Sequence, residues 1–419
     1  MTSVEQRPDP VGELRRPRMV SGPQGPRVVL DGKPVVSLCS GNALGLADHP
    51  KVREAAADAA MRWGVGAGAS RLVSGSMTVH RRLEERLAAF TGTDAAVLFG
   101  SGYLANLGVL GALAAHAGPR ALICSDALNH ASIVDGCRLS GAEAFVYDHA
   151  DAEHLAWGLA RAQGRPALVV TDAVFAMDGD VAPLEDLVEV AGRHGARVVV
   201  DEAHGLGCLG PGGRGAVAEA GLEDEVDVVV GTLGKALGSY GGWATCSAAT
   251  ARVLLQGARP LLHSTAPPPP AVAGALAALG LVEEQPRRVE KLQANGGILR
   301  DELAREGFDV AGSSTHIVPL VVGSAGLADR LCELGIEQGA FAEAVRAPDV
   351  PEGTARLRLA VMASHTKPEL REAAQALGRA ALRAGFRPGA GLPVAAAQDA
   401  AAGPSGGVFD GQAPQRRAA

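Results

Sequence analysis

The stretch VVVGTLGKALGSYGG, residues 228–242, combines a short strand pattern with one lysine in a glycine-rich turn. Its three valines indicate a buried strand, and Lys235 follows among apolar and glycine residues that would solvate an ammonium poorly. Burial lowers the pKa of an amine, which is how proteins prepare a lysine to form a Schiff base. When the stretch is taken alone, a lysine that reaches solvent or pairs with a carboxylate is the more common outcome.

The composition is that of an acidic globular protein. The chain has 419 residues, 47% of them hydrophobic and 20% charged, with a formal net charge of −7. This length favours two domains, and the negative charge gives no support for binding nucleic acid through its phosphates. The cysteines are scattered, which argues against disulfides and a structural zinc site. No apolar run reaches the roughly 18–20 residues of a membrane span, so we expect a soluble, cytoplasmic protein.

Residues 51–262 alternate short β-branched runs with amphipathic helical segments. AAVLF (95–99), ALVVT (167–171) and ARVVV (196–200) predict buried strands, and HRRLEERLAAF (80–90) predicts one of the helices. Near-continuous apolar strands that alternate with helices predict an α/β fold, with a mostly parallel sheet covered by helices on both faces. Such sheets bind their ligands beyond the carboxyl ends of the strands.

The remaining segments are predicted to flank this large domain. Residues 1–50 are expected to be an N-terminal arm that includes a hairpin at RVVLDGKPVVSL, 27–38. The four prolines of LLHSTAPPPP (261–270) interrupt the pattern, and residues 263–386 are predicted to form a smaller α+β C-terminal domain. Residues 387–419 are rich in Ala, Gly, Pro and Gln, which predicts a disordered tail.

Polar residues follow three of the predicted strands. In FGSGYLAN (99–106) a Gly-Ser-Gly turn opens a helix whose free N–H groups suit a phosphate, although an ordinary tight turn is the alternative. In VVVDEAHG (198–205) Asp201 ends a buried strand, with His204 three residues later. A buried carboxylate must be paired, so Asp201 could hold a protonated heteroaromatic nitrogen or only a backbone turn. The third strand end is the GTLGK turn, which adds Thr232.

Other motifs in the sequence do not predict function. DEAH resembles a helicase motif, but no GxxxxGK[ST] accompanies it, and GLGCLG (205–210) does not directly follow a strand, so we reject nucleotide and dinucleotide binding. The cluster of His149, Asp151 and His154 lacks the spacing of a metal site and is predicted to be a solvated loop. We therefore expect no metal.

Together these groups suit pyridoxal 5′-phosphate as a cofactor. The turn at 99–106 offers a place for the phosphate, Asp201 a carboxylate for the ring nitrogen, and Lys235 an amine for the aldehyde. His130, in SDALNHASI (125–133), follows a further strand and is able to stack on the ring. A protonated ring nitrogen makes the ring an electron sink, and a lysine displaced by an amino acid can move its Cα proton. With these partners, the reactive role of Lys235 is favoured.

Nine motifs occur in order between residues 35 and 385. They are LGLADHP (44–50), GAGASRLVSGSMTVHRRLE (66–84), FGSGYLAN (99–106), SDALNHASI (125–133), VFAMDGDVAPL (174–184), VDEAHGLGCLGPGGRG (200–215), TLGKALGSYGG (232–242), HSTAPPPP (263–270) and VPEGTARLRL (350–359). With these motifs the sequence resembles the α-oxoamine synthase family of fold-type-I pyridoxal-phosphate enzymes. The resemblance implies a homodimer with sites at its interface. It also implies that an amino acid loses its Cα proton, attacks a thioester of CoA or of an acyl carrier protein, expels the thiol and loses CO₂.

The resemblance further implies roles for single residues. The cofactor would be held by Lys235 at the aldehyde carbon, Asp201 at the ring nitrogen, His204 near the phenolic oxygen, His130 stacked on the ring, Gly102, Tyr103 and Thr232 at the phosphate, and Ser264 or Thr265 of the partner subunit. Arg358 in TARLR would bind the substrate α-carboxylate through its guanidinium. Asn42 would contact the substrate, and Arg15 would hold a distal carboxylate of the acyl chain.

Within the family, SRLVSG and TLGKALGSYGG most resemble members that condense L-alanine with a pimeloyl thioester in biotin synthesis. Gly41 and Ala43 stand where Asn and Tyr are usual, and Ala176 where a serine usually contacts the cofactor oxygen. Gly41 and Ala43 would face the substrate, so the alternatives are glycine with acetyl-CoA, or another acyl chain in secondary metabolism. An alternative of another class is a catalytically silent partner subunit, against which the presence of Lys235 argues.

Overall fold

The structure is a computed structural model that describes residues 17–310 and 312–387, and this part of the chain folds around three β-sheets. The strands are β1 (Val20–Ser21), β2 (Arg27–Leu30), β3 (Lys33–Ser37), β4 (Ala95–Phe99), β5 (Leu122–Asp126), β6 (Glu143–Tyr147), β7 (Ala167–Asp172), β8 (Arg197–Asp201), β9 (Val228–Thr232), β10 (Gly242–Cys246), β11 (Ile317–Gly323), β12 (Ala340–Phe341), β13 (Glu343–Val345) and β14 (Ala355–Ala360). The helices are α1 (Pro50–Trp63), α2 (Thr78–Thr91), α3 (Gly102–Ala117), α4 (Ala131–Ser140), α5 (Ala152–Ala160), α6 (Leu184–Arg193), α7 (Ala216–Glu219), α8 (Ala248–Gly257), α9 (Arg259–Leu262), α10 (Pro269–Glu284), α11 (Arg287–Arg305), α12 (Ala325–Glu337) and α13 (Lys367–Ala384).

The largest sheet has seven strands in the order β4-β10-β9-β8-β7-β5-β6. The five strands from β9 to β6 run parallel to one another, and β10 is antiparallel to both of its neighbours. Every residue of β5 and β7 is buried. Strands buried on both faces are apolar along their whole length, which explains the continuous valine-rich runs in the sequence. The predicted α/β fold with a mostly parallel sheet is confirmed.

The two faces of this sheet pack into separate hydrophobic layers. In β9, Val228 and Val230 belong to one layer and Val229 to the other, as the pleat of a strand requires. Slipping the strand by one residue would exchange its two faces, so this packing fixes its register. The register places Asp201 and Thr232 at the carboxyl ends of β8 and β9, where ligands of parallel sheets bind.

The N-terminal hairpin is built as predicted but joins an unexpected sheet. β2 and β3 pair around Asp31 and Gly32, whose φ angles of 48° and 83° are both positive. Two such residues in succession form the type I′ turn that Asp-Gly favours. β3 then pairs in parallel with β12, far along the chain. The segment predicted as a separate N-terminal arm therefore belongs to the same sheet as part of the C-terminal region.

The C-terminal region contains an antiparallel sheet in the order β11-β14-β13, against which α12 packs. Its last helix, α13, begins with a capping box between Thr366 and Glu369 and ends at Gly385, which has a left-handed conformation. Helix α10 instead packs on α1 and α2, although it lies within the segment 263–386. The division at residues 50, 262 and 386 stays a prediction.

The predicted tail, 387–419, lies outside the described residues apart from Arg387. Within residues 17–310 and 312–387, no helix is both long and apolar enough to cross a membrane.

Candidate active site

Lys235 lies in the turn that leaves the carboxyl end of β9. The turn closes at Gly238, which has a φ of 59° and approaches the backbone of Ala47 so closely that a side chain there would overlap it. Burial lowers the pKa of the Lys235 amine to about 8, although the nearby carboxylate of Asp201 opposes the shift. Near neutral pH a larger share of this amine is uncharged than in an exposed lysine, so it can act as a nucleophile.

Asp201 ends β8, on the strand next to β9, and its side chain is buried. Its Oδ2 accepts a hydrogen bond from the Asn106 amide at 2.6 Å, and its Oδ1 accepts one from the backbone N–H of Ala203 at 2.8 Å. These donors offset the cost of burying a carboxylate. Each carboxylate oxygen has two lone pairs, so Asp201 retains the capacity to bind a protonated ring nitrogen.

His130 is connected to Asp201 through two side chains that the sequence analysis did not identify. His130 is the N-cap of α4, where its Nδ1 accepts a hydrogen bond from the Ser132 N–H at 3.2 Å and lies 2.7 Å from the Ser132 hydroxyl. The Asn106 amide donates to the Ser132 hydroxyl at 2.8 Å as well as to Asp201. Burial lowers the pKa of His130, and the Lys235 charge lowers it further, while Asp201 opposes both. A neutral ring at this position suits stacking on an aromatic cofactor.

Asp172, at the end of β7, is a second buried carboxyl group that the sequence analysis missed. Its Oδ2 accepts a hydrogen bond from the backbone N–H of His130 at 2.7 Å. Burial raises its pKa well above the usual range, and the charge of Asp201 raises it further. The signal was present, because Asp172 directly follows the apolar run 167–171 in the way that Asp201 follows its own strand.

A narrow cleft beside Lys235 is lined by His204, Cys208, His316 and Arg358. The His204 and His316 rings are 6.3 Å apart between centroids. Burial lowers the pKa of both imidazoles, that of His316 to about 3, so both are neutral near neutral pH. The His316 Nδ1 is buried and has no hydrogen-bond partner among the described residues. A single histidine before a strand forms no recognisable motif, so His316 was not predicted.

Arg358 belongs to β14, so a strand of the small antiparallel sheet contributes a side chain to this cleft. Its Nε donates to the carbonyl oxygen of Ala176, and its Nη1 lies 3.3 Å from the Glu343 carboxylate. The Arg358 side chain is only 13% exposed. A guanidinium carries five N–H donors, so the donors beyond these contacts can bind a substrate carboxylate in the same cleft as Lys235.

The N-terminus of α3 approaches Thr232 at the end of β9. Ser101 caps the helix, and a Cβ added to Gly102 would lie 3.1 Å from the Thr232 Cβ. The first N–H groups of a helix have no partners within it and form a favourable site for phosphate. The Tyr103 hydroxyl donates to the Asp135 carboxylate, so only its backbone N–H is available for this role.

Ser264 and Thr265, predicted to act in the partner subunit's site, follow α9. The Ser264 hydroxyl donates to the Pro260 carbonyl within its own chain, and Thr265 is exposed. The segment is held against α2 by a hydrogen bond between the His80 Nε2 and the Pro267 carbonyl at 2.8 Å. An exposed Thr265 is compatible with a contact across a subunit interface, which stays a prediction.

Asn42 uses its side chain within its own loop. Its Nδ2 donates to the Gln24 carbonyl at 2.9 Å, and its Oδ1 accepts from the N–H groups of Leu46 and Ala47 at 2.9 and 3.1 Å. Breaking these bonds would leave buried polar groups unpaired. The structure therefore gives Asn42 a role in holding the loop and does not support the predicted contact with substrate.

The loop around Asn42 also carries two of the departures from the family pattern. A Cβ added to Gly41 would lie 3.4 Å from the Cγ of Lys235, so the glycine leaves space beside the lysine. Ala43 is buried, and its carbonyl accepts from the Ala363 N–H at 2.7 Å. Arg15 lies outside the described residues.

His149 was predicted to lie in a solvated loop with Asp151 and His154, and for His149 this is wrong. Its Nδ1 lies 3.0 Å from the Asp126 carboxylate and its Nε2 lies 2.9 Å from the Asp180 carboxylate. Asp151 instead caps α5. In the described part of the chain, no group of three or more His, Cys, Asp or Glu residues could hold a metal ion.

The assembled residues fit pyridoxal 5′-phosphate. Lys235 supplies an amine of lowered pKa, and Asp201 supplies a buried carboxylate that can accept a further hydrogen bond. Gly102 begins a helix beside Thr232, where a Cβ would lie 3.1 Å from the Thr232 Cβ, and the first N–H groups of a helix suit a phosphate. The fold and the site together define a pyridoxal-phosphate-dependent transferase of fold type I.

Comparison with known proteins identifies the family. The model of the aminotransferase class I and II family matches residues 33–377. The chain is 49% identical over 366 residues to the 8-amino-7-oxononanoate synthase of Citrifermentans bemidjiense, covering 87% of this chain and 93% of the relative. It is 52% identical over 353 residues to that of Anaeromyxobacter dehalogenans, covering 84% and 88%. A solved structure of serine palmitoyltransferase with its PLP internal aldimine has a TM-score of 0.85 at 32% identity, covering 88% of this chain and 94% of that chain.

The chain therefore belongs to the aminotransferase class I and II family, and within it to the α-oxoamine synthases. It is an acyltransferase that uses pyridoxal 5′-phosphate, as the motifs and their resemblance predicted.

Proposed function

We propose that the protein condenses L-alanine with a pimeloyl thioester to give 8-amino-7-oxononanoate, CO₂ and a free thiol, as in biotin synthesis. One observation carries the proposal: Lys235 and Arg358 line the same cleft, and the Lys235 amine interacts with the charge of Asp201. The two relatives named 8-amino-7-oxononanoate synthase, which match at about half of their positions over most of the chain, favour this member of the family.

Arg358 binds the α-carboxylate of the amino acid. Its guanidinium can pair with both carboxylate oxygens, while the Ala176 carbonyl and the Glu343 carboxylate hold it from the protein side. Binding the carboxylate at this point sets the amino acid beside Lys235, since both residues line one cleft.

Lys235 would hold the cofactor through its Nζ, and its free amine would take the proton from Cα of the amino acid. An amine with a pKa of about 8 can accept and return a proton near neutral pH. When bound, pyridoxal 5′-phosphate supplies an electron sink for the negative charge at Cα. Asp201 keeps the ring nitrogen protonated, and Asn106 orients the Asp201 carboxylate for this bond.

The reaction replaces a C–S bond by a C–C bond. After losing its proton to Lys235, the alanine Cα bonds to the thioester carbonyl carbon, the bond from that carbon to sulfur breaks, and the thiolate takes up a proton. The α-carboxyl group then leaves as CO₂ and a proton returns to Cα. The product retains the amine beside a new ketone, which is an α-oxoamine.

The acyl donor is a thioester of CoA or of an acyl carrier protein. Gly41 lies beside Lys235, where an added Cβ would be 3.4 Å from the lysine Cγ, so a larger side chain here would narrow the space next to the lysine. Arg15, proposed for the distal carboxylate, precedes the described residues. We further propose that the protein is a homodimer and that it is cytoplasmic. The free cysteines support the cytoplasmic location, because reducing compartments keep thiols free.

The test measures thiol and CO₂ release by the purified holoenzyme, with L-alanine or glycine combined with pimeloyl, acetyl or long-chain thioesters. Release of both products from L-alanine and a pimeloyl thioester together, and from neither alone, supports the proposal. Preference for glycine and acetyl-CoA, or for another acyl chain, would replace it by that alternative. Amino exchange with a keto acid and without thiol release would contradict it.

Lys235→Ala is the matched control for this assay. The variant should show no turnover and no cofactor absorbance characteristic of a lysine adduct, because no other amine takes this position. If the unmodified protein itself stays colourless with added pyridoxal 5′-phosphate, the reading as a silent partner subunit is correct instead.

A further inference from the structure

Residues 173–181, here called the bridge loop, follow β7 of the main sheet and contact the region of the small antiparallel sheet. The loop leaves β7 and closes on itself, with Val174 bridged to Val181 and the Phe175 N–H donating to the Asp180 carbonyl at 3.0 Å. Because these contacts tie the two ends of the loop together, a contact at one of its residues can restrain the position of another.

Three residues of the small sheet region hold the outer side of the bridge loop. The contacts run from the Arg358 Nε to the Ala176 carbonyl, from Arg356 to the Asp178 carboxylate, and from the Thr315 hydroxyl to the Gly179 carbonyl at 2.8 Å. A Cβ on Gly179 would overlap the Ile317 carbonyl, so the loop and β11 pack closely. The orientation of Arg358 therefore depends on where the bridge loop lies.

His149 holds the opposite side of the bridge loop. Its Nε2 lies 2.9 Å from the Asp180 carboxylate, and its ring packs edge-on against Phe175 at 4.4 Å between centroids. Burial disfavours the imidazolium, but hydrogen bonds and charges from Asp126 and Asp180 outweigh it and raise the pKa of His149 to about 10. The ring is thus protonated on both nitrogens near neutral pH, and both nitrogens donate.

Asp126 anchors His149 to the main sheet. The Asp126 side chain is fully buried, and its carboxylate accepts from the N–H groups of Leu128 at 2.8 Å and Ala150 at 2.9 Å. It stands at the end of β5, at the start of the turn that leads to His130. His149 therefore joins the end of β5 to the bridge loop.

We propose that His149 is a positioning residue for the substrate α-carboxylate: by bridging Asp126 and Asp180 it fixes the bridge loop, whose Ala176 carbonyl orients Arg358. The inference rests on the proposed function, which assigns carboxylate binding to Arg358. Without the bridge, the loop loses one of its anchors, and the Ala176 carbonyl fixes the guanidinium less firmly for the substrate carboxylate.

The test compares the holoenzymes of His149→Gln and His154→Gln with the unmodified protein. His154 is the matched control because it lies on the same segment but pairs with Asp148, at 3.1 Å, outside the bridge loop. Equilibrium binding of L-alanine, and of ethylamine as an analogue without a carboxylate, is followed by cofactor absorbance. We expect His149→Gln to weaken L-alanine binding about tenfold, the size of one charge-assisted hydrogen bond, and to leave ethylamine binding unchanged.

Equal weakening of both amines would show a general structural role and overturn the inference, as would unchanged L-alanine binding. If His149→Gln does not fold, Asp180→Asn provides the same comparison from the loop side. Arg358→Ala separates this inference from the proposed function. Normal L-alanine binding in Arg358→Ala overturns the assignment of Arg358 itself, whereas normal binding in His149→Gln alone overturns only the role of His149.

Discussion

Asp172 and Asp201 lie opposite each other on the adjacent parallel strands β7 and β8, both with buried side chains. Two buried carboxyl groups this close do not both ionise readily, and burial together with the charge of Asp201 raises the pKa of Asp172 well above its usual range. The donors from Asn106 and Ala203 suit a charged carboxylate at Asp201. The two residues are therefore assigned different tasks, Asp201 at the cofactor ring and Asp172 in holding His130.

Amide substitutions distinguish these two carboxyl groups. Asp201→Asn should lower kcat by on the order of 10²–10⁴-fold, because an amide cannot keep a ring nitrogen protonated. Asp172→Asn should keep kcat within about threefold, because an amide oxygen can still accept from the His130 N–H as a neutral carboxyl group does. Steady-state kinetics of both purified variants provides the measurement. Equal losses in the two variants would refute the division of tasks.

Arg358→Lys tests the carboxylate site. A lysine retains the charge but not the paired geometry of a guanidinium, so we expect the KM for L-alanine to rise about 10–100-fold with little change in the KM for the thioester. Arg371→Lys is a suitable control, because Arg371 forms a half-exposed ion pair with Glu302 on another part of the molecule. If only the KM for the thioester rises, Arg358 binds the acyl donor and not the amino acid.

Much of the site could be predicted because its residues follow strands. Apolar runs identify parallel strands, and the carboxyl ends of these strands meet at one edge, so Asp201, His130 and Lys235 could be grouped before the structure was known. Arg358 was placed only through resemblance, since β14 belongs to a different sheet and its pattern says nothing about which cleft it reaches. The local hydrophobic pattern predicts individual helices and strands, but it does not predict how one sheet packs against another.

Apart from Asp172, whose strand gave a local signal, the residues that were missed have in common that their roles arise from long-range contacts. His316 and Asn106 occur singly, and nothing in their neighbouring residues signals a partner distant in the sequence. His149 was misread for the same reason, because its two carboxylate partners are 23 and 31 positions away. The pairing of β3 with the two-residue strand β12 also leaves no local pattern. Prediction was therefore weakest where distant segments meet.

The His149 bridge should make stability depend on pH. The pKa of His149 rises from 6.5 to about 10 on folding, so the folded protein binds more protons between these values and the free energy of unfolding falls as pH rises through this window. The contribution is fully present below pH 6.5 and lost above about 10. Between pH 7 and about 10, the unmodified protein should lose on the order of 1–3 kcal/mol more than His149→Gln. Denaturant unfolding of both proteins across this pH range measures the difference. The prediction is contradicted if the free energy of unfolding changes with pH equally in the two proteins.

Subunit complementation tests whether Thr265 acts across a homodimer interface. Lys235→Ala inactivates a protomer's own lysine, and Thr265→Asp places a negative charge where the partner's cofactor phosphate is proposed to bind. Each variant alone should be inactive. If Thr265 serves the partner subunit's site, a mixed dimer contains one site with both changes and one with neither. Equal mixing, by unfolding and refolding the two variants together, should then recover about a quarter of the unmodified activity, since half of the dimers are mixed. If Thr265 serves the site of its own chain, every site in the mixture carries one change and no activity returns.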